Sequence, residues 1–533
     1  MRMTTLVQGL GLAAVMAVGG CKSLDITNPN DPDSARALAD PAAIEAVLQG
    51  SVRIYINTFE QLTGGGPLVT QAQTYSASWN NFNMNFYSGQ SCDIATGPCT
   101  NPNRDSRPWQ NDPSAAARTS IEVYWEGYYS SLGLANQVLK AIRVNNLIIN
   151  TAADTRRAET MALLIQGASL AGIALNYDKG YILNETSDLG ALTYSTRREV
   201  RDAAIASFTA AATLAGANTF ATPSGYTGGG PSYTNNQIAR LANSMAAFLL
   251  ANYPRNPTET AAVNWAQVVT YASNGISSGT PFDFIFMGDG CSSWCPEVIY
   301  WFNSIDTGRL HTRVANMLSS AQLTPYPAGG NPQPTLLTSL DRRLGDGTFG
   351  TAGMVAGFGT RTRTANGGSD FAWSSQQIFN QARGSFHQSN IAHIRYDLTG
   401  QQASSGIYGG FGPAPIFSAA QNDLLWAEGL VRTNTNLALA ATKINNTRVT
   451  RGGLTAAAAG DGVALLQTRL QYELELEALG IGASTYYLRR RIGGLLPGTP
   501  HEMPVPAKEL GVFAQPLYTW GGSANPASSP TPP

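Results

Sequence analysis

Apolar residues recur at three- and four-residue steps along most of this chain, the period of an amphipathic helix. Met161, Leu164, Ala168, Ala171 and Leu175 mark one such face within 156–177. Val200, Ala204, Phe208, Ala211 and Leu214 mark a second within 197–214, and Ile238, Leu241, Met245 and Phe248 a third within 236–253. The same pattern predicts helices over 115–147, 258–275, 415–432, 436–450 and 461–479. Gly167, Gly172 and Ala174 are small enough to let a neighbouring helix approach closely. Asp40–Pro41 predicts a helix start, because Asp caps a helix and Pro suits its first turn; Ile44, Val47, Leu48 and Ile54 then give one apolar face. Helices in pairs across short polar turns predict a mostly α fold, a tetratricopeptide-like helix-pair array with a degenerate repeat, long loops and a few short strands.

Two stretches break the period. Residues 63–113 are rich in Gly, Asn, Ser and aromatics and predict a long irregular region. Residues 277–414 carry recurrent Gly and Pro with short apolar runs, and Glu297–Phe302 and Ile391–Arg395 read as strands. The triplets Gly64–Gly66 and Gly228–Gly230, each followed by proline, read as turns.

The first twenty residues have an early Arg2 and an apolar run through Leu10, Leu12, Val15 and Val18, too short for a permanent membrane span. Val18–Gly19–Gly20–Cys21 resembles the bacterial lipobox, in which the cysteine sulfur is lipidated and becomes the mature N-terminus. The expected organisation is a signal peptide over 1–20, a lipidated arm over 21–40, one body over 41–522 and a flexible tail over 523–533. The body comprises a helical array (41–276 and 415–480) and a loop-rich ligand-binding insert (277–414).

Charged residues make up only 13% of the chain and the formal net charge is −1, which leaves no basic field for nucleic acid. Besides Cys21 there are Cys92, Cys99, Cys291 and Cys295, which allow three pairings. Disulfides Cys92–Cys99 and Cys291–Cys295 are the simplest set for an oxidising compartment, and one zinc site on four thiolates is the rival, at spacings poor for zinc. His311, His387, His393 and His501 form no metal-binding pattern, and no nucleophile elbow, phosphate loop or dinucleotide fingerprint stands in a fitting context. No cofactor, metal or catalytic residue is expected.

The aromatics carry the chemistry. Sugar rings present apolar C–H faces that rest on flat rings, and their hydroxyls need amide and hydroxyl partners. Trp79, Asn81 and Phe82 in one segment and Trp301 and Asn303 in another supply both, and Trp109 and Trp373 lie in polar irregular segments. Trp79, Asn81, Trp109, Trp301, Asn303 and Trp373 are the candidate ligand contacts.

Several motifs resemble the SusD/RagB family of outer-membrane nutrient-binding lipoproteins. In 424–454 the matching positions are Ala427, Glu428, Ile444, Asn445, Arg448, Arg451 and Gly452; farther on they are Arg469, Glu473, Leu474 and Glu477. Thr468 and Tyr487 stand where that family has acidic residues. LDITNPNDPD after Cys21, PEVIYWFN at 296–303 and HEMPVPAKEL at 501–510 also match. Arg469, Glu473 and Glu477 lie at four-residue steps that favour pairing along one helix, and a buried Glu428 needs a cation, for which Arg448 is the candidate. The resemblance implies a non-catalytic carrier at the outer membrane, facing the cell exterior. It would bind a glycan or a peptide and deliver it to a TonB-dependent β-barrel transporter. The alternatives are a lipid-anchored glycoside hydrolase and a purely structural lipoprotein.

Overall fold

The computed structural model describes residues 40–76, 81–88, 107–302, 308–327, 336–344, 368–373, 387–396, 410–522 and 524–529. The segment 1–39 with Cys21, and Trp79, Cys92, Cys99 and Asn303, lie outside the described residues.

Helix α1 (Pro41–Phe59) starts where the sequence places it: the Asp40 side chain accepts from the Ala42 N–H, with Pro41 in the first turn. Its buried face is Ile44, Leu48, Val52 and Ile56. There follow α2 (Leu62–Gln71), the short α3 (Met84–Tyr87), α4 (Thr119–Arg143), α5 (Ala152–Asn176), α6 (Arg197–Gly216) and α7 (Asn235–Asn252). Thr196 and Thr234 each make a capping box at the starts of α6 and α7. The helix expected over 258–275 is two pieces, α8 (Pro257–Ala261) and α9 (Trp265–Ser273), each begun by an Asn cap. Helices α1, α4, α5, α6, α7 and α9 pack one on the next in a row.

The chain then leaves the row and returns to it. The excursion carries α10 (Glu297–Phe302) and α11 (Thr312–Leu318), after which α12 (Ala419–Arg432) packs directly on α9. The row closes with α13 (Leu437–Arg448) and α14 (Gly462–Glu477), followed by α15 (Ser484–Arg491) and α16 (Ala507–Val512). The insert is thus an outgrowth between two adjacent members of the array. The strands among the described residues form two-stranded antiparallel ribbons. They pair β1 (Tyr75–Ser76) with β5 (Arg309–Leu310), and β2 (Lys179–Gly180) with β3 (Ser195–Thr196). They also pair β4 (Phe284–Asp289) with β8 (Phe411–Phe417), and β6 (Phe371–Trp373) with β7 (Ile391–His393).

Helix α5 is long and apolar enough to cross a membrane by length and composition, but its apolar stretch is wholly buried at the centre of the array, and only its first turn and a half reaches solvent. Its glycines are contact points. A Cβ on Gly172 would lie 2.5 Å from the Tyr128 ring, and one on Gly167 2.8 Å from Phe208. In an open helix Gly→Ala stabilises by about 1 kcal/mol. At Gly172 overpacking reverses the sign: Gly172→Ala is expected to cost about 1–3 kcal/mol, seen as a lowered thermal midpoint. A raised midpoint would show that Tyr128 yields freely.

Three expectations are corrected here. Gly64–Gly66 and Pro67 are not a turn; they lie inside α2. That helix is buried on every side, and a Cβ on Gly64, Gly65 or Gly66 would meet Tyr124, Val298 or Met84 within 3 Å. Close packing outweighs poor helix propensity. Glu297–Phe302 is a helix, not a strand, and the capping described below explains it. Residues 524–529 are not a free tail: the His501 N–H donates to the Ala527 carbonyl (2.7 Å) and the Ser529 N–H to Glu502 Oε1 (2.6 Å).

The motif charges of α12 and α14 bind mainly across the fold. Glu428, buried in α12, pairs with Arg491 (2.5 and 2.6 Å) and Arg432 (2.8 Å), not with Arg448. Burial would raise this carboxyl; Arg491, then Arg432, overcome that and hold it below the usual range. Arg469 of α14 pairs with Asp461. Glu473 and Glu477 meet Arg343 instead, at 2.8 and 3.3 Å. Arg343 also binds Asp341 (2.7 Å); Glu477 binds Arg395 (2.6 Å) and Arg451 (3.1 Å), and Arg451 in turn binds Asp370. Arg448 completes the group at 3.6 Å from Glu473. Four guanidinium groups meet four carboxylates, and this neutral hub fastens 336–344, 368–373 and 391–396 of the insert to α13 and α14.

Candidate functional site

The candidate site lies where the insert meets α2. Two helices cap each other there. The Leu62 N–H, at the start of α2, donates to Glu297 Oε2 of α10 (2.8 Å). In return Glu60, just before α2, receives the first turn of α10: its carbonyl accepts from Val298 N–H (2.9 Å) and its Oε2 from Ile299 N–H (3.3 Å). Glu60 Oε1 also accepts from Gly482 N–H (2.9 Å). Orphan donors at two helix starts are thereby satisfied by side-chain carboxyl and main-chain carbonyl oxygens from the facing element. This exchange makes 297–302 helical, where its apolar run alone reads as a strand. Phe302, at the end of α10, stacks on Tyr75 of β1 with centroids 4.4 Å apart. Between these fixed points α10 presents Trp301.

Trp301 is half-buried and meets the edge of Phe82 at 6.0 Å. Asn81 beside it is exposed. Phe82 and Asn83 both have left-handed backbone, at φ 57° and 59°. Such angles cost a non-glycine residue of order 1–3 kcal/mol and persist only where the surroundings impose them. Here the Asn83 amide donates to Thr119 Oγ1 (3.1 Å) and Ser120 Oγ (2.9 Å) at the start of α4, which locks the kink and sets Phe82 against Trp301. Trp373 belongs to the same apolar cluster, behind the rim and only 9% exposed, with Phe302 and Phe371.

Of the six candidate contacts, the structure sets Trp301 against Phe82, the chain neighbour of Asn81, and places Trp373 in the apolar cluster on which both rings pack. Trp109 is a core residue: it is 1% exposed, its indole N–H donates to the Glu502 carbonyl (2.8 Å), and it packs on Tyr87 at 4.6 Å. Its polar sequence neighbourhood is the edge of a seam with the C-terminal segment. Cys291 and Cys295 form a disulfide just before α10, next to the buried Trp294, which packs edge-on against Phe286 (4.4 Å). Sequence reasoning missed Glu60, Glu297 and Asn83. The signal available for the first two was a pair of carboxylates beside apolar runs in a chain this poor in charge.

The histidines are structural. His311 Nδ1 accepts from the Arg313 N–H and so caps α11, and His393 Nδ1 lies 3.0 Å from Tyr75 Oη. Burial holds His387 down at about 4 and His311 well below the usual imidazole range. Among the described residues no three metal-ligating side chains cluster.

Solved structures share this architecture. A SusD superfamily protein from Bacteroides vulgatus superposes with a TM-score of 0.55 at 12% identity, over 92% of this chain and 98% of that one. The fold is SusD-like. A SusD homolog from Bacteroides thetaiotaomicron gives 0.54 at 11% identity over 91% and 98% of the two chains. A SusD-like carbohydrate binding protein from Bacteroides vulgatus gives 0.51 at 13% identity over 84% and 82%. No protein-family model and no curated protein matches the sequence. The SusD-like fold accounts for the helix row, the insert between its neighbours and the C-terminal helices that carry the family-like motifs.

Proposed function

We propose that this SusD-like protein binds a nutrient oligomer, a glycan in the first instance, without altering it and hands it to a TonB-dependent β-barrel transporter. The observation that carries this reading is the rim of Trp301, Phe82 and Asn81. It combines flat rings for sugar C–H faces with an exposed amide for hydroxyls, held by a doubly capped helix and a locked left-handed turn. Solved proteins of this fold include ones described as carbohydrate binding. The two carboxyl groups at the base of α10, Glu60 and Glu297, are engaged as helix caps, which favours binding over hydrolysis. The lipobox-like Cys21 would tether the carrier at the outer membrane, facing outward.

Calorimetric titration with neutral oligosaccharides is the test. Saturable binding without product formation is expected. Trp301→Ala should weaken it by about thirtyfold, the effect of losing an aromatic anchor worth about 2 kcal/mol, with thermal unfolding unchanged. Turnover of the ligand, or full binding by Trp301→Ala, would overturn the proposal.

A further inference from the structure

A second groove lies on the helix row itself, between the first half of α7 and the segment that follows α9. Its volume is about 810 Å³, and Asn236, Gln237, Arg240, Asn243, Asn274 and Phe282 line it. That size suits a small-molecule site.

The walls are built, and their spare bonding capacity is specific. Arg240 Nη1 donates to the Gly275 carbonyl (2.9 Å), tying the two sides together at the floor. Asn243 and Asn274 each donate one amide N–H to the Ala239 and Thr270 carbonyls, at 2.9 Å, which leaves each with a second N–H and its amide oxygen for a ligand. Gln237 is the reverse case. Its amide oxygen caps Thr234, at 2.8 Å from the backbone N–H, which leaves its NH₂ as a donor. The Asn236 oxygen likewise accepts from Asn235 (3.3 Å), leaving its NH₂. Phe282 packs on Tyr233, with centroids 5.6 Å apart, and is half-buried, which leaves part of its ring on the groove.

Free donors and free acceptors therefore face one space, beside a partly open ring, with no carboxylate on the wall. An anion would meet the Arg240 guanidinium but also two amide oxygens that repel it, whereas a hydroxyl suits both. A cation would find no counter-charge. The hydroxyl is the group that donates and accepts at once. We propose that this groove is a second binding site of the protein, for uncharged sugar units of a glycan. The inference shares the ligand class of the proposed function but does not depend on the Trp301 rim.

Native electrophoresis through gels containing soluble polysaccharides tests it, with starch, galactomannan, xyloglucan, mixed-linkage glucan and inulin as neutral probes and polygalacturonate as the acidic one. The double variant Asn243→Ala/Asn274→Ala is expected to bind the retarding neutral probe about tenfold more weakly. Trp301→Ala should keep a residual retardation that the combined variant loses. Asn236→Ala, at an exposed first-turn position, provides a version that leaves the helix bonds intact and should weaken retardation in the same direction. Loss of all retardation in Trp301→Ala, with both groove variants unchanged, would overturn the second site and leave the carrier reading standing. Loss in the groove variants alone would uphold the groove and overturn the rim. Retardation by polygalacturonate alone, or by no probe, would overturn the groove proposal.

Discussion

Arg343→Met is expected to lower stability by about 3–5 kcal/mol, the usual cost of removing one partner from a buried ion cluster. Arg343 is fully buried and bridges Asp341, Glu473 and Glu477. Methionine fills much of its volume but leaves three carboxylates facing one another with reduced counter-charge. The loss therefore comes from the uncompensated anions, not from a missing attraction. Glu473→Gln in the same chain should recover part of it, because the double variant removes one of those anions. Urea unfolding followed by tryptophan fluorescence provides the check. Limited proteolysis should show cleavage first within 336–396, since the hub is what fastens that stretch to α13 and α14. An unfolding midpoint equal to that of the parent protein would mean that the hub contributes nothing net.

The second large effect is a pH dependence centred on Glu60. Its carboxyl is fully buried, with no ion pair to it among the described residues, and burial pushes it up to about 8. The folded protein therefore keeps a proton that the unfolded chain releases above about pH 4.3. Stability from this group is fully present below that value and is lost as pH rises through 8, a change on the order of 5 kcal/mol. Asp178, pushed up to about 7 by burial and then by Glu502, acts in the same direction. His387 and His501, held down at about 4 by burial, act the opposite way, but only below the ordinary histidine range near pH 6.5. The clean window is thus pH 6.5 to about 8.5. There the thermal midpoint should fall with rising pH, and Glu60→Gln should flatten the slope, because glutamine stays neutral and can still accept from Gly482. A variant with the parent's slope would remove Glu60 as the cause.

Periodic helices were the most legible part of the chain. Asp40–Pro41 announced α1 by local chemistry alone, and the faces of α6 and α7 followed from spacing, whereas α5 is buried all round from Ala158 on and has no single face. The SusD-like fold was legible through motifs whose side chains do structural work: Glu428, Glu473 and Glu477 are all buried ion partners. What could not be read was who meets whom. Glu428 takes Arg491, which lies 63 residues away along the chain, rather than Arg448. Gly64–Gly66 form a helix because Tyr124, Val298 and Met84 crowd them from distant elements. In the site, Trp301 and Asn81 were readable as an aromatic and an amide in polar stretches. The caps that aim α10 and the left-handed pair at Phe82 and Asn83 were not, since each depends on contacts from elsewhere in the sequence. Trp109 failed for the same reason, as its partner Glu502 comes almost at the end of the chain.

That distant partner is one stitch in a longer seam. The Trp109 N–H donates to the Trp520 carbonyl (3.1 Å), Asn111 donates to Val505 and Tyr518, the Asp178 N–H donates to Met503, and Arg255 clasps Glu502. The early helices lean on residues far later in the sequence. Without the stretch from Glu502 to Trp520, the segments beside α4 and α5 would lose these partners along one edge. A substitution in that later stretch is therefore a fault felt at helices near the start of the fold.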